Sequence, residues 1–159
     1  MGGWIALQFS LNSKRIKKLV LLAPVMSFAP LNWKSPFKLF PALWFRNSFF
    51  IRNLYNWMFA KQNVPNETLY NQFFIGYKYG KINLRVAPKV FKQEELERLQ
   101  AETLVLISEQ EVVYSSTKKA LDNAAAIPKI TAVLIPNSSH CLPAEQNEIV
   151  NDLVTKYLL

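Results

Sequence analysis

Thr103-Leu104-Val105-Leu106-Ile107, followed by Ser108-Glu109-Gln110-Glu111, is a short apolar run closed by a polar, acidic turn. Farther on, Thr131-Ala132-Val133-Leu134-Ile135 repeats the pattern and runs into Pro136-Asn137-Ser138-Ser139-His140, which carries the one histidine of the chain. Continuous apolar runs of this length, rich in β-branched residues, predict strands of a parallel sheet buried on both faces. Two such strands deliver an acid and an imidazole to the same rim, and open α/β sheets keep their chemistry beyond the carboxyl ends of their strands.

Working outward, Leu19-Val20-Leu21-Leu22-Ala23-Pro24 predicts a third apolar strand, reached through the basic turn Lys14-Arg15-Ile16-Lys17-Lys18. Gly2 to Asn12 carries Trp4, Ile5, Leu7, Phe9 and Leu11 among small and polar residues and reads as a mostly buried helix ended by Asn12-Ser13. Ser115 to Ala126 reads as an amphipathic helix capped by Ser115 or Ser116. Glu145 to Leu159 is the closing helix, with Ile149, Val150, Leu153, Val154 and Leu158 on one face.

The composition changes between Val25 and Glu102. Sixteen of the 21 aromatic residues lie between Phe28 and Tyr79, mixed with Lys34, Lys38, Arg46, Arg52 and Lys61. Phe37, Phe40, Leu43 and Trp44, then Phe49, Phe50, Leu54, Trp57 and Met58, recur at helical spacings, and Pro30, Pro36, Pro41 and Pro65 break the segment into three or four short helices. Phe91 to Leu99 is a short charged helix that returns the chain to the sheet.

Charge is unevenly spread. Met1 to Asn66 holds nine Lys or Arg and no acid, whereas from Glu94 onward acids outnumber bases ten to five, within a net charge of +8. A basic half suits an anionic partner. No nucleic-acid recognition motif accompanies it, so the Lys-Arg turn reads as a solvated loop and no nucleic acid is expected. A membrane surface is not expected either, because the prolines interrupt any long helical face. The single cysteine, Cys141, excludes an internal disulfide, no Cys/His spacing suggests a metal site, and no cofactor is expected. No secretory leader or membrane-length apolar run is apparent, which leaves a cytoplasmic, reducing setting as the expectation.

The order acid, helix, strand, histidine resembles the α/β-hydrolase superfamily, and the opening Met1-Gly2-Gly3 resembles the second half of its Gly-x-Ser-Met-Gly-Gly nucleophile elbow. The resemblance implies a partial α/β-hydrolase fold. About three parallel strands flanked by helices would form a core from residues 1–27 and 101–159, and residues 28–100 would form a helical cap inserted over the active site. It implies His140 as the base and Glu111 as the orienting acid of a serine triad, with Glu109 as the alternative acid. Met1, Gly2 and Gly3 would be the elbow and oxyanion remnant, with the serine position just before Met1. The family more often has Gly-x-x-Asp where Ser108-Glu109-Gln110-Glu111 stands, and a glycine where Ser139 precedes the histidine.

Phe28, Trp33, Trp44 and Trp57 of the aromatic cap would line a pocket for a small apolar ester-like substrate. The implied protein is the carboxyl-terminal part of a carboxylesterase-like serine hydrolase, inactive without its nucleophile and oxyanion hole. The alternative is a non-catalytic binding protein derived from that fold. An uncovered strand Leu19–Ala23 would be a template for self-association.

Overall fold

The computed structural model describes residues 1–59, 67–81 and 88–159. Lys61 and Pro65 lie outside the described residues. Helix α1 (Gly2–Leu11) leads into strand β1 (Lys18–Leu22). Helices α2 (Ser35–Phe45), α3 (Ser48–Met58) and α4 (Glu67–Tyr79) follow, then the single turn α5 (Gln93–Leu96). Strand β2 (Glu102–Ser108), helix α6 (Thr117–Ala125), strand β3 (Ile130–Ile135), the short α7 (Leu142–Glu145) and helix α8 (Asn147–Leu158) complete the order.

The three strands form one parallel sheet in the order β1-β2-β3, with Leu19 opposite Thr103 and Thr103 opposite Ile130. Side chains alternate across a strand, and β2 uses both faces. Val105 and Ile107 enter a core with Trp4 and Leu7 of α1, Leu21 of β1, and Ala120 and Ala124 of α6. Leu104 and Leu106 enter a second core with Ile135, Leu142 and Val150, against α7 and α8. The continuous apolar run of β2 is thus explained by helices on both sides.

The outer strands differ from the reading of uniformly buried strands. In β1 only Leu21 is buried and Leu22 is exposed, while in β3 Thr131 and Leu134 are exposed. Among the described residues both are edge strands, each paired on one side, so they have half the strand neighbours of β2. Helix α1 likewise buries one face, Trp4, Leu7 and Ser10, and leaves Ile5 and Phe9 exposed. Of the expected apolar face of α8, Val150, Leu153 and Val154 pack on the sheet, whereas Ile149 and Leu158 are exposed and Tyr157 packs in their place.

Helices α2, α3 and α4 share a separate core of Ala42, Ile51, Leu54, Tyr55, Phe59 and Tyr70. Pro36 lies in the first turn of α2, where its missing N–H costs nothing, but Pro41 sits inside α2 rather than ending it. The break comes at Arg46, in the left-handed region at φ 49°, and Asn47 then caps α3 by accepting the Phe50 N–H at 3.1 Å. Ser116 caps α6 through the Lys119 N–H at 3.2 Å. Trp57 packs against both this core and the sheet core, at the seam between them.

Candidate active site

Chain direction brings three segments to one rim. In a parallel sheet the loops after β1, β2 and β3 all leave from the same edge. Glu111 is in the loop after β2, His140 in the loop after β3, and Pro24 follows β1. Gly3, at the start of α1, lies against Pro24 so closely that a Cβ built on it would stand 3.0 Å from the Pro24 Cβ, whereas one on Gly2 would meet nothing within 4 Å. Met1-Gly2-Gly3 therefore sits at the same rim, and Gly3 is the glycine that the close helix approach requires.

The loops after β2 and β3 are laced together by backbone and side-chain bonds. The Glu109 N–H donates to Ile135 O at 3.0 Å, the Gln110 N–H to Ser138 O at 2.9 Å, and Ser138 Oγ to Ile135 O at 2.8 Å. Asn137 turns the chain at φ 48°, a left-handed conformation that asparagine tolerates. Its N–H donates to the Glu109 carboxylate at 2.9 Å. Of the two acids in this loop, Glu109 thus braces the turn, and Glu111 is left to face the imidazole.

His140 Nδ1 lies 3.1 and 3.0 Å from the two carboxylate oxygens of Glu111. The Glu111 side chain is fully buried and that of His140 is 15% exposed. The Val113 N–H donates to Glu111 Oε1 at 2.8 Å and fixes the carboxylate from behind. Val113 is itself tied to the start of α2 and the segment leading into it, through Asn32 N–H to Val113 O at 2.8 Å and Ser35 Oγ to Val113 O at 3.2 Å. With Nδ1 donating to a carboxylate, Nε2 presents its lone pair as an acceptor, which is the state a general base needs.

Two residues at this site, Tyr114 and Glu145, escape the sequence reading, and a third, Ser139, enters it only as a departure from the family's glycine. Tyr114 meets the imidazole edge-on, with ring centres 6.4 Å apart. Its buried hydroxyl has no hydrogen-bond partner among the described residues, and burial, with Glu111 nearby, raises its pKa well above the usual phenol range. Ser139 and Glu145 bond to each other directly behind the histidine. A sequence signal existed for Glu145, an acid in the first turn of the helix after the histidine loop, where acids are favoured. Burial, with Glu145 and Glu111 nearby, pushes the Cys141 thiol up to about 12, so it is no nucleophile at neutral pH.

The four aromatic residues expected in a pocket are not together. Phe28 is buried in the sheet core beside Trp4 and Phe91, while Trp33 and Trp44 are 72% and 76% exposed, Trp33 meeting Phe37 edge-on and Trp44 stacking on Phe40. Of the four, only Trp57 lines the groove of about 1010 Å³ formed by residues of α2, α3 and α4 together with Val112, the neighbour of Glu111 in sequence. That groove mixes Phe49, Trp57 and Phe74 with Lys38, Arg52 and Asn56. Arg52 is held by a two-bond pair with Glu67 at 3.0 and 3.1 Å and lies 3.2 Å over the Tyr70 ring. Among the described residues no group of three His, Cys, Asp or Glu side chains could hold a metal, and no helix is long and apolar enough to cross a membrane.

Known proteins share the fold. No family model matches the chain. Over 99% of its length it is 29% identical to an uncharacterized carboxylesterase, nap, of Bacillus subtilis, of which it spans 54%. The crystal structure of naproxen esterase (carboxylesterase NP) from Bacillus subtilis superposes on 99% of the chain with a TM-score of 0.84 at 30% identity, and the chain covers 56% of it. Carboxylesterase CesB (YbfK) of the same organism superposes with a TM-score of 0.88 at 23% identity, 99% of this chain matching 56% of that one, a likeness of fold. The chain therefore spans about half the length of the relatives it matches and corresponds to their carboxyl-terminal part.

Proposed function

We propose, since the chain belongs to the α/β-hydrolase superfamily, that Glu111 and His140 are the orienting acid and the base of a serine ester hydrolase, with the nucleophile supplied from a segment upstream of Met1. The observation that carries this reading is the His140 Nδ1 contact of 3.0 Å with a fully buried carboxylate at the rim of the sheet. In this reading residues 1–27 and 101–159 form the catalytic core and residues 28–100 the cap.

The chemistry follows from the tautomer. Glu111 holds the Nδ1 proton, so Nε2 accepts the proton of a serine hydroxyl as its oxygen attacks the acyl carbon, and then returns it to the leaving alcohol. Water repeats the cycle on the acyl-enzyme. The Met1 backbone N–H, next to the serine position, is one oxyanion donor, and the second comes from a loop outside these residues. On this reading the expected outcome is that the 159 residues alone turn over no ester. Two features suit a small ester with an apolar part against Trp57 and Phe74 and a polar part near Lys38 and Asn56: the mixed lining of the groove and the ester chemistry of the relatives. A reducing, cytoplasmic setting suits the lone Cys141.

The test joins this chain to the amino-terminal segment of the Bacillus subtilis relative, ending at the elbow serine, and measures hydrolysis of p-nitrophenyl esters. The fusion hydrolyses them, the chain alone does not, and His140→Ala in the fusion lowers kcat by at least about 10³. Undiminished hydrolysis in His140→Ala would overturn the assignment.

One observation favours a second reading, a binding protein. Among the described residues the outer edge of β1 has no strand paired to it, and Leu22 of that strand is exposed, as are Ile5 and Phe9 of α1. It requires the 159-residue chain to form a stable dimer or capture a partner through that edge, which sedimentation analysis decides.

A further inference from the structure

Ser139 stands immediately before His140, is fully buried, and is bonded on every side. Its carbonyl accepts the hydroxyl of Ser108 at the end of β2. Its N–H donates to Glu145 Oε2 at 2.7 Å, and its Oγ lies 2.7 and 2.8 Å from the two oxygens of the same carboxylate. The same Oγ is 2.7 Å from the carbonyl of Met58, the last residue of α3. A hydroxyl has one proton to donate, so at any moment it serves either Glu145 or Met58. The backbone N–H serves Glu145 whichever way the hydroxyl turns. Glu145 is therefore the constant anchor of the loop, and the hydroxyl is an exchangeable tie to α3, whose other face lines the groove.

We propose that Glu145 is a positioning residue for His140: by accepting the Ser139 N–H and hydroxyl it fixes the backbone from which the imidazole reaches Glu111. The inference deepens the assignment of the Glu111–His140 pair and rests on it. Reach, rather than charge, is the property that matters. Two bonds of 2.7 Å from one carboxylate leave no slack, and an acid shortened by one methylene, about 1.5 Å, falls outside hydrogen-bond range of both donors. An amide of the same length keeps an oxygen for the N–H and offers its NH₂ to the hydroxyl oxygen.

The chain itself provides the assay, because its single histidine gives unambiguous imidazole resonances. The readout is the strongly deshielded Nδ1 proton of an imidazole hydrogen-bonded to a carboxylate, followed by NMR in the 159-residue chain, with far-UV circular dichroism to verify folding. Wild type shows the signal. Glu145→Gln retains it and Glu145→Asp loses it, at unchanged helix content. Any other pattern overturns the proposal: retention in both variants, loss in both, or loss in Glu145→Gln with retention in Glu145→Asp, which would make charge the cause. Absence of the signal from wild type would instead sink the Glu111–His140 pair itself, so the two failures are told apart.

Discussion

Replacing Glu111 separates its two duties, holding the loop and holding the tautomer. Two N–H donors converge on the carboxylate, the Val113 amide at 2.8 Å and His140 Nδ1 at 3.0 and 3.1 Å, and the side chain is fully buried. Glu111→Ala leaves both donors without an acceptor, and a buried orphan donor costs about 1–3 kcal/mol, so the sum is roughly 2–6 kcal/mol. For a chain of this length that lowers Tm by roughly 5–20 °C. Glu111→Gln keeps an oxygen for the Val113 N–H and loses mainly the charge assistance, about 1–2 kcal/mol. Its NH₂ then faces Nδ1 and forces the imidazole into the Nε2–H tautomer, which cannot accept a serine proton. On the proposed serine-hydrolase reading, a wrong tautomer of this kind lowers kcat by about 10⁴. Thermal melts of both variants, with ¹⁵N chemical shifts of the imidazole in Glu111→Gln, measure the two duties apart. Equal melting temperatures, or an unchanged Nδ1–H tautomer in Glu111→Gln, would refute the reasoning.

Two further outcomes follow from close contacts and burial. Gly3→Ala should destabilise by about 1–3 kcal/mol through overpacking, less up to about 1 kcal/mol regained in helix propensity, because its Cβ would stand 3.0 Å from the Pro24 Cβ; Gly2→Ala, with open space, should be neutral or stabilising in urea titrations. Cys141, with its thiol pushed up to about 12, should be alkylated at pH 8 roughly 10³ times more slowly in the native chain than in urea, since its thiolate fraction is about 10⁻⁴ rather than a few tenths. That rate should climb with pH up to about 12, and a native rate equal to the denatured one would contradict the burial.

The sheet was legible because a strand buried on both faces leaves a signature in sequence. Thr103 to Ile107 shows no polar alternation, and in the fold Val105 and Ile107 meet one layer of helices while Leu104 and Leu106 meet the other. The same reading overstated β1 and β3, since an apolar run does not record whether a neighbouring strand lies on its far side. Pro41 failed as a breaker for a local reason: a proline removes one hydrogen bond, and α2 already packs Ala42 and Leu39 into the core it shares with α3 and α4. Burial of that face outweighs the lost bond.

The site was legible only as far as chain order reaches. The sequence favours Glu111 over Glu109 only by its place two residues farther from the strand, and in the fold the two part because the Asn137 N–H, 28 positions away, occupies Glu109. Ser139 looks like a departure from the family's glycine until its hydroxyl is seen against Met58, 81 positions away, and its carbonyl under Ser108, 31 positions away. A glycine there could accept the Ser108 bond and donate its N–H, but could not tie the loop to α3. The polar bonds that place the histidine span from 2 to 81 positions, with no period for a pattern to detect. The aromatic residues mislead for the converse reason: their helical spacing marks the helices, but not which face turns inward, so Trp33 and Trp44 lie on the surface while Asn56 and Lys38 line the groove. The polar lining of the groove is therefore carried by Arg52, Asn53 and Asn56, on a face of α3 that turns away from the buried Ile51 and Leu54.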